Sequence, residues 1–168
     1  MVTLAFAQTM ARYNAWMNAR LSELCARLSD DERKEDVGAF FKSIHGTLNH
    51  LLLGDRVWMG RFTGPPFTVS SLAQELYADF SELRMQRAAT DEAISKWVSS
   101  LKEEDLKGTL TYMSIVNPTQ RQYPLWFADA HFFNHQTHHR GQLTTLLFQR
   151  GIDPGITDLI WLGDPPSA

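Results

Sequence analysis

A single cysteine, Cys25, stands in a chain of 168 residues. It excludes an intramolecular disulfide and removes thiolate-cage zinc sites, so any metal must be held by other side chains; it also fits a reducing compartment. Basic clusters are missing too. Sixteen Lys and Arg are scattered against nineteen Asp and Glu, for a formal charge of −3, and no run of like charge advertises a phosphate backbone or an anionic membrane surface. Neither nucleic acid nor a membrane is expected as a partner. The longest apolar runs are only a few residues, far short of the roughly 18 that a membrane span needs. No basic residue precedes Arg12, so the N-terminus lacks the charged opening of a secretory signal. The expectation is an unprocessed, cytoplasmic chain. With no internal repeat and no low-complexity linker, residues 1–168 read as one domain.

What the chain does have is apolar residues (43%) in helical register, enough to bury one sizeable core. From Val2 to about Leu28, Leu4, Met10, Tyr13, Met17, Leu21, Leu24 and Leu28 return mostly at steps of three or four, the mark of a helix that buries one stripe. Ser29 with Glu32 forms a capping-box pattern that opens a short connecting helix. A second long helix is predicted over Gly38–Phe62, with Phe41, Ile44, Leu48, Leu51, Asp55, Trp58 and Phe62 on one face and a stop at Gly64-Pro65-Pro66. A third is predicted from Ser70 or Ser71 to Leu101, bent near Thr90.

Between Leu106 and Tyr123 the texture becomes β-rich around an Asn117-Pro118 turn, which predicts a small exposed hairpin. Pro124 suits the first position of a fourth helix, which runs to Gly151 ahead of a Pro/Gly-punctuated tail over Ile152–Ala168. The predicted fold class is all-α: an antiparallel four-helix bundle with a small β-hairpin insertion before the last long helix.

All six histidines fall in two windows, His45 and His50 on the second helix and His131, His135, His138 and His139 on the fourth. Residues four apart stack on one helical face, so His135 and His139 can converge on one ion. His50 is the natural third donor, with Gly46 and Gly54 four residues to either side, where missing side chains leave room. The stripe Ala128, Phe132, His135, His139, Leu143 and Leu146 is otherwise apolar, which turns both imidazoles inward. Three neutral imidazoles suit Zn²⁺, Ni²⁺ or Fe²⁺ with positions left for water or substrate. Overlapping pairs remain open, since His131 and His135 are also four apart and His135 and His138 three apart. The competing reading is a chance cluster of interior and surface histidines. Gln136 follows His135, so the His-Glu-x-x-His of metalloproteases is absent, and no Glu-x-x-His pair of di-iron bundles occurs.

Three separated segments carry a resemblance: Tyr-Asn-Ala-Trp-Met-Asn (13–18), Ser-Ile-His-Gly-Thr-Leu-Asn-His-Leu-Leu-Leu-Gly-Asp-Arg-Val-Trp (43–58) and His-Gln-Thr-His-His-Arg-Gly-Gln (135–142), with Thr157-Asp158-Leu159 in the tail. Together, and in this order over nearly the whole chain, they resemble the DinB family. The resemblance implies a four-helix bundle, often homodimeric, with a divalent ion on one histidine of the second helix and two of the fourth. Carried onto this sequence, those ligands are His50, His135 and His139.

Relatives in the wider superfamily include transferases and isomerases that use bacillithiol or mycothiol, beside proteins described only as metal-dependent hydrolases. The expected substrate is thus a small molecule, with a low-molecular-weight thiol as a candidate partner. The reaction is thiol S-transfer or hydrolysis, and the alternative is a non-catalytic metal-binding stress or accessory protein. Either reaction follows from an ion that activates water or a thiol at neutral pH, and neither needs a protein nucleophile, so Cys25 is expected to be an inert packing residue. Asn14, Asn18, Asp55 and Gln142 are candidates to orient an imidazole or a bound water. The plainer readings make Asp55–Arg56 an ion pair, Asn14 and Asn18 a solvated face, Arg140 a helix-end charge, and Trp16, Trp58, Trp97 and Trp126 core or dimer contacts.

Overall fold

A computed structural model describes residues 2–163. Helix α1 (Leu4–Cys25) starts at Thr3, whose hydroxyl accepts the Phe6 N–H at 3.2 Å. The short α2 (Asp30–Lys34) opens on the expected capping box, in which Ser29 and Glu32 satisfy each other's backbone N–H groups. Helix α3 (Ile44–Thr63) is capped by Ser43 and ends at Gly64, whose φ of 104° suits glycine. Helix α4 (Phe80–Ser100) is capped by Asp79 and followed by the single turn α5 (Glu103–Leu106). Strands β1 (Thr109–Met113) and β2 (Gln120–Pro124) form the predicted antiparallel hairpin, with Leu110 opposite Tyr123. Helix α6 (Leu125–Gln149) follows directly, with Pro124 as its N-cap rather than its first residue. The tail runs irregularly to a 3₁₀ turn at Leu159–Leu162 and is tied to α1 by Tyr13, whose hydroxyl donates to the Thr157 carbonyl at 2.5 Å. Its last predicted stretch, 164–168, lies outside the described residues.

Two predicted helix starts move. The second long helix begins at Ile44, not Gly38, because residues 37–42 close a tight turn: Val37 N–H donates to Lys42 O at 2.9 Å and Lys42 N–H to Ala39 O at 2.7 Å. Gly38 (φ 71°) and Lys42 (φ 66°) are left-handed there, a conformation no helix contains. The fourth helix of the chain, α4, begins at Phe80 and not at Ser70 or Ser71. Residues before it form a strap over α3, whose side chains capture the strap's backbone. Asn49 Oδ1 accepts the Leu76 and Tyr77 N–H groups at 2.8 and 3.0 Å, and the His45 ring meets the Tyr77 carbonyl at 2.9 Å. Backbone groups satisfied this way gain nothing from a helix. Helix α4 is also unbroken at Thr90.

The four long helices pack in a cycle, α1 on α4, α4 on α3, α3 on α6 and α6 on α1. Met17, Leu21, Leu52, Ile94, Phe132, Phe133 and Leu143 are fully withdrawn between them, and each such side chain contributes about 1.5–3 kcal/mol relative to exposure. A polar seam crosses this core. Arg87 lies 2.6 Å from Asp55 and 2.8 Å from Asp91. The Asn14 and Asn18 amides donate to Asp91 at 3.2 and 2.9 Å, and Arg140 donates to Asn14. Asn14 and Asn18 are therefore interior residues, Asp55 pairs with Arg87 rather than Arg56, and Arg140 is a buried mid-helix cation.

Asp129 is buried on the inner face of α6 with no hydrogen-bond partner among the described residues on either oxygen, and desolvation raises its pKa to about 7. The unfolded chain releases this proton near pH 4 and the folded chain only near 7. The contribution to stability is thus complete below pH 4 and is lost as pH rises through 7, at about 1.4 kcal/mol per unit. We expect Asp129→Asn to flatten this decline. Urea unfolding from pH 4.5 to 8 should show the variant gaining on the native chain by about 2–4 kcal/mol, and parallel profiles would contradict the assignment.

Candidate metal centre

Helices α3 and α6 bring three imidazoles to one point. His135 and His139 share a face of α6 one turn apart, and His50 of α3 meets them. The His139 Nε2 lies 3.2 Å from that of His50 and 3.1 Å from that of His135. All three donor atoms are within 4.8 Å of one another. Around a tetrahedral ion with metal–nitrogen distances of about 2.0–2.1 Å, neighbouring nitrogens stand about 3.3 Å apart. The cluster has the spacing to hold a metal ion.

Two of the rings are aimed from behind. His50 Nδ1 donates to the Leu72 carbonyl at 2.9 Å, and His139 Nδ1 donates to Gln142 Oε1 at 2.8 Å. Each bond places the proton on Nδ1 and leaves a lone pair on Nε2. Lone pairs facing one another at this distance are a poor contact for protein alone and a good one around a cation. Burial reinforces the choice of protonation state, holding the His50 pKa at about 4 and the His135 pKa at about 3 and lowering that of His139. At pH 7 all three are neutral, the form that ligates.

The surroundings fit the rings closely. Phe41 stacks on His50 with centroids 3.8 Å apart at 17° and meets His139 edge-on at 5.5 Å. The two flanking glycines serve different ends. A Cβ at Gly54 would come within 3.0 Å of His135 Cε1, so this glycine admits the His135 ring. At Gly46 a Cβ would strike the Phe41 carbonyl, so that glycine admits the 37–42 turn and not the cluster.

The remaining histidines lie elsewhere. His45 is buried against the strap, His131 is exposed and packs on Trp58 with centroids 5.0 Å apart, and His138 is exposed beside Gln142. Among the overlapping pairs on α6, His135 with His139 is the one that faces His50. Of the polar residues considered as orienting partners, Gln142 stands beside His139, whereas Asn14, Asn18 and Asp55 belong to the core seam. The Leu72 carbonyl and Phe41 were not foreseeable in these roles: a backbone carbonyl leaves no trace in the sequence, and Phe41 matched a helical stripe.

The sequence profile of the DinB family matches residues 1–166. The chain belongs to the DinB family. Protein DinB of Bacillus subtilis (strain 168) is 26% identical over 159 residues, covering 91% of each chain. A DinB-like protein from Bacillus cereus ATCC 10987, known from its crystal structure, superposes with a TM-score of 0.63 at 19% identity, over 86% of this chain and 91% of that one. At that identity the likeness speaks for the DinB fold alone: a mostly helical chain with one small antiparallel sheet.

Proposed function

We propose that this DinB protein is a metal-dependent enzyme acting on a small molecule, by thiol S-transfer or hydrolysis, with His50, His135 and His139 as the ligands of one divalent ion. The reading takes the chain as one domain, an antiparallel four-helix bundle, and is supported above all by the meeting of three Nε2 atoms, two of them on rings whose proton positions are set from behind. When bound, the ion supplies a Lewis acid that activates water or a thiol at neutral pH. The chain's own residues orient and exclude. Leu72 and Gln142 hold two rings in the ligating tautomer, and Phe41 shields the face of His50 from water. Cys25 is no nucleophile, being fully buried with its thiol pushed up to about 12 by desolvation, so solvent or substrate must supply one.

A second reading, a metal-binding stress or accessory protein without turnover, is favoured by the all-histidine cluster, which no carboxylate joins among the described residues to act as general base. The enzyme reading also places the protein in the cytoplasm as a homodimer. The homodimer alone finds support in a groove between α1 and α6, beside which Phe6 and Phe127 stand about half exposed.

Protein purified without an affinity tag should carry, or take up, close to one Zn²⁺, Ni²⁺ or Fe²⁺ per chain and release it as acid protonates the rings. The loaded protein should turn over in panels pairing low-molecular-weight thiols with electrophiles, or in ester and amide panels. Uptake without any turnover that depends on His50 would favour the accessory reading, and no uptake would end both. Gly54→Ala gives a finer check. Because the added methyl presses on His135, metal affinity should fall about 10–100-fold, the range of an outer-sphere disturbance, with the helical circular dichroism unchanged. Undiminished affinity would mean that His135 is not a ligand.

A further inference from the structure

From the three-histidine cluster a line of tilted ring contacts leads along the α3–α6 boundary to a half-buried cation. The His131 ring lies 6.1 Å from that of His135, Trp58 lies 5.0 Å from His131, and the Arg61 guanidinium carbon lies 4.4 Å from the Trp58 ring. Tyr112 of β1 stands 4.1 Å from the same carbon, and its ring centroid lies 5.4 Å from that of Trp58. The guanidinium thus touches two neighbouring aromatic rings, one from its own helix and one from the hairpin, which meet each other edge to face. The geometry points to Arg61 as an anion-binding residue that takes a carboxylate or phosphate group of the small molecule whose other end reaches the metal centre.

Ring contacts of this kind use no conventional acceptor, so the five N–H groups of the guanidinium stay available to one. Among the described residues none of them finds a hydrogen-bond acceptor and no carboxylate lies within ion-pair distance, in contrast to Arg33, Arg56, Arg87, Arg140 and Arg150, each of which donates to a protein acceptor. Arg61 is half-buried, so it has lost hydration without gaining a counter-charge. A structural clamp for the hairpin would be served by an apolar side chain or by an arginine paired with an acid. A planar cation with free rim donors suits a bidentate oxyanion, and the partial desolvation that penalises it alone strengthens that pairing. The ring contacts also keep it from swinging into solvent, so the donors are fixed relative to His135.

The inference rests on the metal-centre reading for the other end of the ligand, and the test separates the two. Protein loaded with Co²⁺ is titrated calorimetrically with alkyl hydroxamates of increasing chain length, whose hydroxamate binds metals generally and whose far end is a carboxylate, a phosphonate or a neutral primary amide. At the best-fitting length, an acidic tail is expected to improve affinity at least about tenfold over the amide. The preference should vanish in Arg61→Gln and return in part in Arg61→Lys, with amide-tailed affinity unchanged in both; carboxylate against phosphonate tells which oxyanion is preferred. Equal affinity for all three tails at every length overturns the inference and leaves the metal centre standing. If no Co²⁺ is taken up, the metal reading fails, and Arg61 is judged by inorganic phosphate alone. Phosphate should then shift the Arg61 Nε–H and Trp58 indole N–H resonances of the native chain and leave the Trp58 indole N–H of Arg61→Gln in place; unmoved resonances in the native chain overturn the assignment.

Discussion

Replacing His139 by alanine is expected to lower metal affinity by more than about 100-fold, beyond the 10–100-fold that loss of an outer partner costs, while leaving the fold intact. His139 stands at the middle of the cluster, 3.2 Å from one partner nitrogen and 3.1 Å from the other, so its removal leaves two donors without their common neighbour. The ring is mostly buried but among the described residues makes only one hydrogen bond outside the cluster, to Gln142 on its own helix, so little architecture goes with it. Calorimetry or competition with a chromophoric chelator measures the affinity. A second reading comes from melting: at a hundredfold excess over Kd, a bound ion adds about 2.7 kcal/mol, or about 5–10 °C in Tm for a chain of this size. The native protein should show that rise on adding the metal and His139→Ala should not. Gln142→Ala should fall between the two, since His139 then keeps its place but loses the bond that selects its tautomer. Equal affinity in the native chain and His139→Ala would remove the basis for the proposed chemistry.

How much of this was legible in the sequence depends on which chemistry carried each feature. The hairpin, the short capped helix and the final long helix follow local rules: β-rich residues around Asn117-Pro118, Ser29 with Glu32, and a proline before an amphipathic run. Residues 37–42 and the strap before α4 do not. Leu72 and Leu76 have helical spacing, but Asn49 and His45 of α3 capture the strap's backbone at Leu76 and Tyr77, a tertiary effect that spacing cannot register.

The cluster itself was readable because its donors are rare residues at helical steps, and because the family resemblance supplied the choice among overlapping pairs. Its supports divide by type. Gln142 is a side chain three positions from His139 and could be guessed, whereas the Leu72 carbonyl and the stacked Phe41 depend on the two segments whose helices were misplaced. Asn14, Asn18 and Asp55 looked like site residues since they are polar and sit in the matching motifs. They are polar because they build the seam through the core.

That seam carries the largest expected effect on stability. Arg87 is the cation between two interior carboxylates, Asp55 with no exposed surface and Asp91 nearly so. Arg87→Met keeps much of the side-chain volume yet strands both charges, and breaking a buried pair from one side costs about 3–5 kcal/mol. For a chain of this length the loss corresponds to about 10 °C or more in Tm. Asn14 and Asn18 still donate to Asp91 in the variant, so Asp55 is the carboxylate left more exposed to the penalty. The double variant Arg87→Met/Asp55→Asn should therefore recover part of the loss, a coupling that separate structural defects would not show. Acidification supplies an independent check: desolvation already raises the Asp55 pKa to about 7 even with Arg87 beside it, and removing the guanidinium raises it further. Arg87→Met should be penalised most well above pH 7 and progressively less as pH falls towards 7, where Asp55 takes up its proton in both proteins. A penalty that stays constant from pH 8 to 5, or a double variant no more stable than the single, would show that the arginine serves the core by packing and not by charge.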